Sequence, residues 1–335
     1  VGARPLLFFM RLAKNTVRQG AFIAAASCVL CLSAAAATEG SFQRTLKVSS
    51  NVNIEVSAGS GNVEIRTGSA DEVRISGRIK IHDWFASKAT EKIKRLEENP
   101  PIRQNGNDVK IGRIDDPDLE RNVSIDYEII LPSDTRLHVE TGSGEAKVDG
   151  IRGSLDVSSG SGRLQLSNID TTIRASAGSG DIEIDQVKGN VHVKTGSGSI
   201  RATGIAGGFE GSTGSGGLKL EQTASGSVRV SAGSGTLDLR GLHGSLDATA
   251  GSGSIRAEGD PTGSWNLRTG SGSVELRLPS NASFDLSAHS SSGSISVGFP
   301  IVSEASDGRK DLRGKVRGGG VSIQIVTGSG SIEIR

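Results

Sequence analysis

The chain has 335 residues, of which 47 are Gly, 35% are hydrophobic and only 3% are aromatic, with 38 Lys and Arg against 37 Asp and Glu. So little ring area excludes a thick globular core built on aromatic side chains. A balanced charge without a concentrated basic stripe excludes nucleic acid as a partner, because phosphates call for cations and unstacked bases for aromatic platforms.

The first segment reads as targeting sequence. Met10 is followed by Arg11, Lys14 and Arg18, an apolar stretch from Ala21, and the small-residue run Ala34 to Ala37 before Thr38. That order predicts a cleavable export signal over residues 1–37, with an uncleaved membrane anchor as the alternative. Membrane contact is expected only through this segment, if it stays uncleaved. Cys28 and Cys31 are the only cysteines and both fall inside it, so the exported chain is predicted to be thiol-free, with no redox or metal pair. "AASC" at Ala25 to Cys28 also fits a lipid-attachment site. Loss of residues 1–37 removes four basic residues and leaves 34 against 37, a net charge of −3.

Beyond Thr38 the pattern is that of strands in one domain, 38–335, broken twice. Residues Asp83 to Asn99, "DWFASKATEKIKRLEEN", place Phe85, Ala89, Ile93 and Leu96 on one helical face, with Glu91 and Arg95 at i,i+4. Asp83 can cap this helix and Pro100 with Pro101 ends it. The helix is expected to pack near the N-terminal end of the strand array, over exposed core or a strand edge. The second break, Pro300 to Gly320, carries "EASDGRKDLRGKVRGGG" and reads as a loop.

Between the breaks runs a repeat. The first glycines of successive GSG triplets, Gly142, Gly160, Gly178, Gly196 and Gly214, are 18 apart, and Gly233, Gly251 and Gly270 follow at 19, 18 and 19. A fixed period of this size marks a solenoid. Each unit holds two strands. After each triplet the second and fourth residues are apolar, as in Leu164 and Leu166, Ile182 and Ile184, Leu237 and Leu239, with polar residues between them. The strand before the triplet alternates likewise, as in Leu155 and Val157 or Val191 and Val193, and Ile151, Ile169, Val187, Ile205 and Leu242 form a third inward stripe. The prediction is an all-β, right-handed parallel β-solenoid (β-helix) of 18-residue coils with one inserted amphipathic helix. In it the GSG glycines take positive φ at tight corners, and Ser bonds to free backbone groups.

Chemistry is harder to find. Parallel β-helices also carry polysaccharide-cleaving enzymes, which directs attention to Asp181, Glu183 and Asp185, outward on one strand at a spacing of about 7 Å. They are the one candidate binding group, as a calcium site or an acid/base pair, with Arg163 and Arg201 one coil away as ion partners. Two outward columns are mixed in sign, one running Lys147, Gln165, Glu183, Arg201, Lys219, Asp238, Arg256, Glu275 and the other including Glu221, Arg240, Glu258 and Arg277. Mixed signs along a ladder predict charge pairing along the stack axis. His82, His138, His192, His243 and His289 are scattered without metal-ligand spacing. Trp265 shares strand parity with Leu267 and should point inward, carbohydrate stacking being the alternative. GSG leads into a strand each time, so a phosphate-cradling loop is not read, and the Asp positions of a calcium β-roll hold Ile, Leu or Val. No catalytic residue, metal site or cofactor is predicted.

"VSIDYEIILPSDTRLHVETGSGEAKVDGIRGSLDVSSGSG", Val123 to Gly162, resembles a bacterial family of β-strand-repeat proteins described as putative adhesins, of unknown function. Asp126-Tyr127-Glu128 through Leu137, followed by alternating glycine-turn strands, carries the resemblance. It implies a β-solenoid and a role in the envelope or at the surface, and brings no catalytic residues. The function expected is an exported, non-enzymatic interaction module whose partner is an extracellular or envelope protein or a glycan. Periplasm, cell surface and extracellular space remain open as its location. The alternatives are a glycan-processing lyase or hydrolase and a purely structural envelope protein.

Overall fold

A computed structural model describes residues 38–49, 51–81, 86–307 and 310–335. The segment read as an export signal, the capping Asp83 and Phe85 lie outside the described residues. The described chain is all-β, with 27 strands, the helix α1 (Ala86–Glu98) and the short helix α2 (Pro117–Glu120).

Most strands belong to two parallel ladders joined at the glycine corners. The entering ladder, made by strands that run into each corner, pairs Leu155 with Ile173, then Val191, Phe209, Val228, Leu246 and Trp265. The leaving ladder pairs Leu164 with Ile182, then Ile200, Leu218, Leu237, Ile255 and Val274. Val, Ile and Leu therefore meet their own kind on successive coils and close a continuous core. The alternating inward residues and the third stripe, Ile151, Ile169, Val187, Ile205 and Leu242, are all buried. Where the pattern varies, volumes compensate: Phe209 points inward beside Gly211, and a Cβ on Gly211 would meet the Phe209 ring. Trp265 is fully buried and donates its indole N–H to the Gly244 carbonyl at 2.8 Å, which removes it from carbohydrate stacking.

The corner glycines are needed for a different reason from the one expected. None of the GSG glycines has positive φ; a Cβ on Gly178 would lie 2.5 Å from the Gly160 carbonyl oxygen, and on Gly180 it would overlap that of Gly162. The corners stack so closely that each glycine makes room for the backbone of the coil beside it. Left-handed residues occur instead where the leaving strand ends, at Gly150, Asn168, Gln186, Gly204 and Gly241, just before the third inward stripe. The stapling hydroxyl also differs. It belongs to the buried residue before the triplet: Thr213 Oγ1 donates to the Gly198 carbonyl at 2.9 Å and accepts from Gly216 N at 3.1 Å. Thr195, Thr269, Ser290 and Thr327 repeat this arrangement. The corner Ser contributes its backbone N–H, as in Ser179 N to Gly160 O at 3.0 Å.

At both ends the stacking order departs from chain order. The coil Asn53–Ala58 and Val63–Thr67 is flanked on one side by Arg136–Thr141 and Ala146–Asp149, and on the other by Asp108–Ile111 and Val123–Leu131. Strands Glu72–Ile81 and Thr38–Lys47 then add antiparallel to this end. Helix α1 packs on those two strands through Ala89, Ile93 and Leu96. Gly40 lets Ile93 approach, Glu97 accepts from Ser41 N, and Arg44 bonds the helix-end carbonyls of Glu97 and Glu98. At the opposite end the segment read as a loop forms two strands, Ile301–Asp307 and Asp311–Val316, that pair with each other and extend the outermost coil. Its alternating Ile301, Leu312 and Val316 turn apolar sides to the core, which polar loop composition had masked.

Candidate interaction surface

The acidic candidates are brought together on one strand but each is tied to a neighbouring coil. Asp181 accepts from Ser199 N at 2.8 Å, Glu183 from Gln165 Nε2 at 3.2 Å, and Asp185 from Thr203 Oγ1 at 2.7 Å. These bonds replace the ion pairs expected with Arg163 and Arg201. Asp181 and Glu183 line a shallow recess with Asp238, Arg201, Lys219 and Arg256, a solvent-open mosaic of both charges.

Charge pairing on the leaving ladder runs mostly along strands rather than along the stack axis. Glu64 with Arg66, Asp238 with Arg240, Glu275 with Arg277 and Glu333 with Arg335 pair at i,i+2, because residues two apart share a face. Axial pairs such as Arg256 with Glu275 at 3.6 Å add to them.

A better-formed surface lies on the entering ladder, apart from the charged columns legible in the sequence. There one outward column reads His192, Glu210, Arg229, Asp247, Asn266 in direct register. Beside it, at the start of each strand, stand Asn190, Gly208, Ser227, Ser245 and Ser264. Short side chains next to long ones leave a trough of about 320 Å³ along the stack axis. Its polar positions recur at the rung spacing of about 4.8 Å, with a different group on successive rungs. Imidazole, carboxylate, guanidinium, carboxylate and amide follow in turn, and His192 Nδ1 stands 3.1 Å from Glu210 Oε2, both side chains about half exposed. The signal in the sequence was the run of Gly and Ser at a spacing of 18 or 19 beside a mixed polar column.

The remaining histidines are dispersed: His138 pairs with Glu140, His289 with Asp311, and His243 is exposed. His82 lies outside the described residues. Among the described residues no group of three or more His, Cys, Asp or Glu could hold a metal ion, and no helix is long and apolar enough to cross a membrane.

The residues that carried the family resemblance do structural work. Asp126 Oδ1 accepts from Asn62 N at 2.9 Å and Oδ2 from Lys80 Nζ at 2.8 Å. Burial opposes its charge, but the Lys80 ammonium and the Asn62 N–H hold the carboxyl below its ordinary value. Tyr127 is buried against Phe42, and burial pushes its phenol well above the usual range. Thr135, fully buried, donates to the Pro132 carbonyl and fixes the turn into the next coil.

The family model described as Toastrack DUF4097 matches residues 51–335. The chain belongs to that family. Nothing among curated proteins matches it. Solved structures similar to this Toastrack chain include a putative adhesin from Parabacteroides distasonis, at 11% identity and a TM-score of 0.38, covering 88% of this chain and 96% of the other. A putative adhesin from Bacteroides fragilis is 13% identical with a TM-score of 0.29, covering 88% and 97%. A putative cell adhesion protein from Clostridium sporogenes is 11% identical with a TM-score of 0.26, covering 89% and 99%.

Proposed function

We propose that this Toastrack protein is an exported, non-enzymatic adhesin-like module, a right-handed stack of 18-residue coils that holds an extended glycan at the cell envelope or surface. The trough on the entering ladder carries the reading. Its five rungs stack imidazole, carboxylate, guanidinium, carboxylate and amide one above another, flanked by Ser hydroxyls on three of them, and such a row of polar groups suits a partner with hydroxyls repeating along its length. The export-like segment at residues 1–37 and the adhesin resemblance support the location. Open strand faces also favour binding over turnover, since the acids from Asp181 to Asp185 stand on a solvent-open face rather than in an enclosed cleft.

The test is affinity electrophoresis of residues 38–335 through gels holding different polysaccharides. Retardation by at least one polysaccharide, reduced by Arg229→Ala with Asp247→Ala and unchanged by Arg256→Ala on the other ladder, is the expected result. Retardation indifferent to the trough variants, or retardation by none, contradicts the reading; the latter favours a purely structural role.

A further inference from the structure

The last fifteen residues occupy an unexpected place. In chain order the coil containing Phe284–Ser290 and Ile295–Val297 follows the coil containing Trp265–Thr269 and Val274–Arg277, yet the two do not touch as ladder neighbours. The terminal strands Val321–Thr327 and Ile332–Ile334 lie between them, paired on both sides. Ile323, Ile325, Ile332 and Ile334 are buried, and Thr327 staples this coil to Gly272.

The two separated coils carry matching edges. Trp265 and Leu286 both pair with Ile323, Leu267 and Ala288 both with Ile325, and Thr269 and Ser290 both with Thr327. Ser290 donates to Gly330 as Thr327 donates to Gly272. With the terminal coil withdrawn, the outer coil can therefore close on the inner one in the same register, and Ser290 can reach Gly272. The withdrawn segment leaves through a hinge at Arg317, Gly318 and Gly319 with φ of 51°, 86° and 87°. Its sequence "TGSGSIEI" nearly copies "TGSGSVEL" at 269–276, so another copy's stack offers it the same bed.

We propose that residues 321–335 form an exchangeable donor coil, inserted either into their own chain or into a second copy of this chain, whatever the trough holds. Exchange conserves the contacts of the coil and costs only hinge rearrangement and association entropy.

Residues 38–335 contain no cysteine, so introduced thiols report only on this slot. Arg268 and Val326 face each other in register, at a rung spacing of about 4.8 Å that suits a disulfide. Arg268→Cys and Val326→Cys single variants of the chain are mixed, partly unfolded in urea, refolded at high concentration and oxidised with oxidised glutathione. A disulfide-linked heterodimer is expected, whereas Thr249→Cys, one coil further away, with Val326→Cys gives little. Heterodimer no greater than this control overturns the proposal. The unmodified chain, sedimented after the same treatment at rising concentration, should show a dimer even if the cysteine variants fail to fold; a monomer throughout overturns the proposal as well.

Discussion

Two kinds of glycine alternate along this stack, and replacing one of each separates their roles. Gly178 has no left-handed φ, but a Cβ there would lie 2.5 Å from Gly160 O, where ordinary contact begins at 3.4 Å. Relief by moving the coils apart demands 3.4 minus 2.5, or about 0.9 Å. That displacement carries Gly178 N to Ser159 O, now 2.9 Å, and Ser179 N to Gly160 O, now 3.0 Å, beyond hydrogen-bond range. At about 1 kcal/mol net for each bond, with strain passed to the flanking rungs, Gly178→Ala should cost about 2–4 kcal/mol. Gly204 has φ of 67°, and its station is held by Asn168 and Gln186 in the two preceding coils. Gly204→Asn should therefore cost less than about 1 kcal/mol. Urea unfolding of residues 38–335, followed by circular dichroism, measures both as shifts in midpoint at constant slope. Equal costs, or a Gly178→Ala variant as stable as the parent, would refute the argument that backbone approach between coils selects the corner glycines.

Thr213→Val keeps the shape of the side chain but removes both hydroxyl bonds, so a loss of about 2 kcal/mol is expected in the same assay, with Thr213→Ser within about 1 kcal/mol of the parent. A valine variant of parental stability would mean that the staple contributes nothing. Among the described residues the Tyr127 hydroxyl is buried without a partner, so Tyr127→Phe should raise stability by about 1 kcal/mol, and a loss of that size would count against the packing described at this end. Asp126 has a lowered folded-state pKa, so its contribution is full above its unfolded value of about 3.9 and fades as pH falls through the folded value. Thermal melts from about pH 5 to pH 2 should show a shallower acid decline for Asp126→Asn than for the parent; parallel declines would sink this assignment.

Much of the architecture was legible because period and parity are local properties of sequence. Leu164 and Leu166 or Ile182 and Ile184 need only a strand's two-residue alternation to be placed inward, and their spacing of 18 puts them in register. What was not legible depends on neighbours far along the chain. Glycine at Gly178 looks the same whether it is chosen for its φ or for the carbonyl beside it, and only the stacked coil tells the two apart. The position of Ile323 between Trp265 and Leu286 could not be read from order, because three segments share one pattern and each fits beside the others. The trough was hidden for a chemical reason: Gly208, Ser227, Ser245 and Ser264 resemble ordinary turn residues, and their meaning comes from the longer side chains standing next to them.

The central claim, binding without turnover, is tested most directly by incubating residues 38–335 with a polysaccharide panel, with and without calcium, and measuring retained protein and newly formed chain ends in the same samples. The account predicts retention on at least one polysaccharide, no rise in chain ends, and no change in either on replacing Asp181, Glu183 and Asp185 with Asn or Gln. Chain ends that accumulate with time and vanish in those variants would contradict it and identify the acidic strand as a cleavage site.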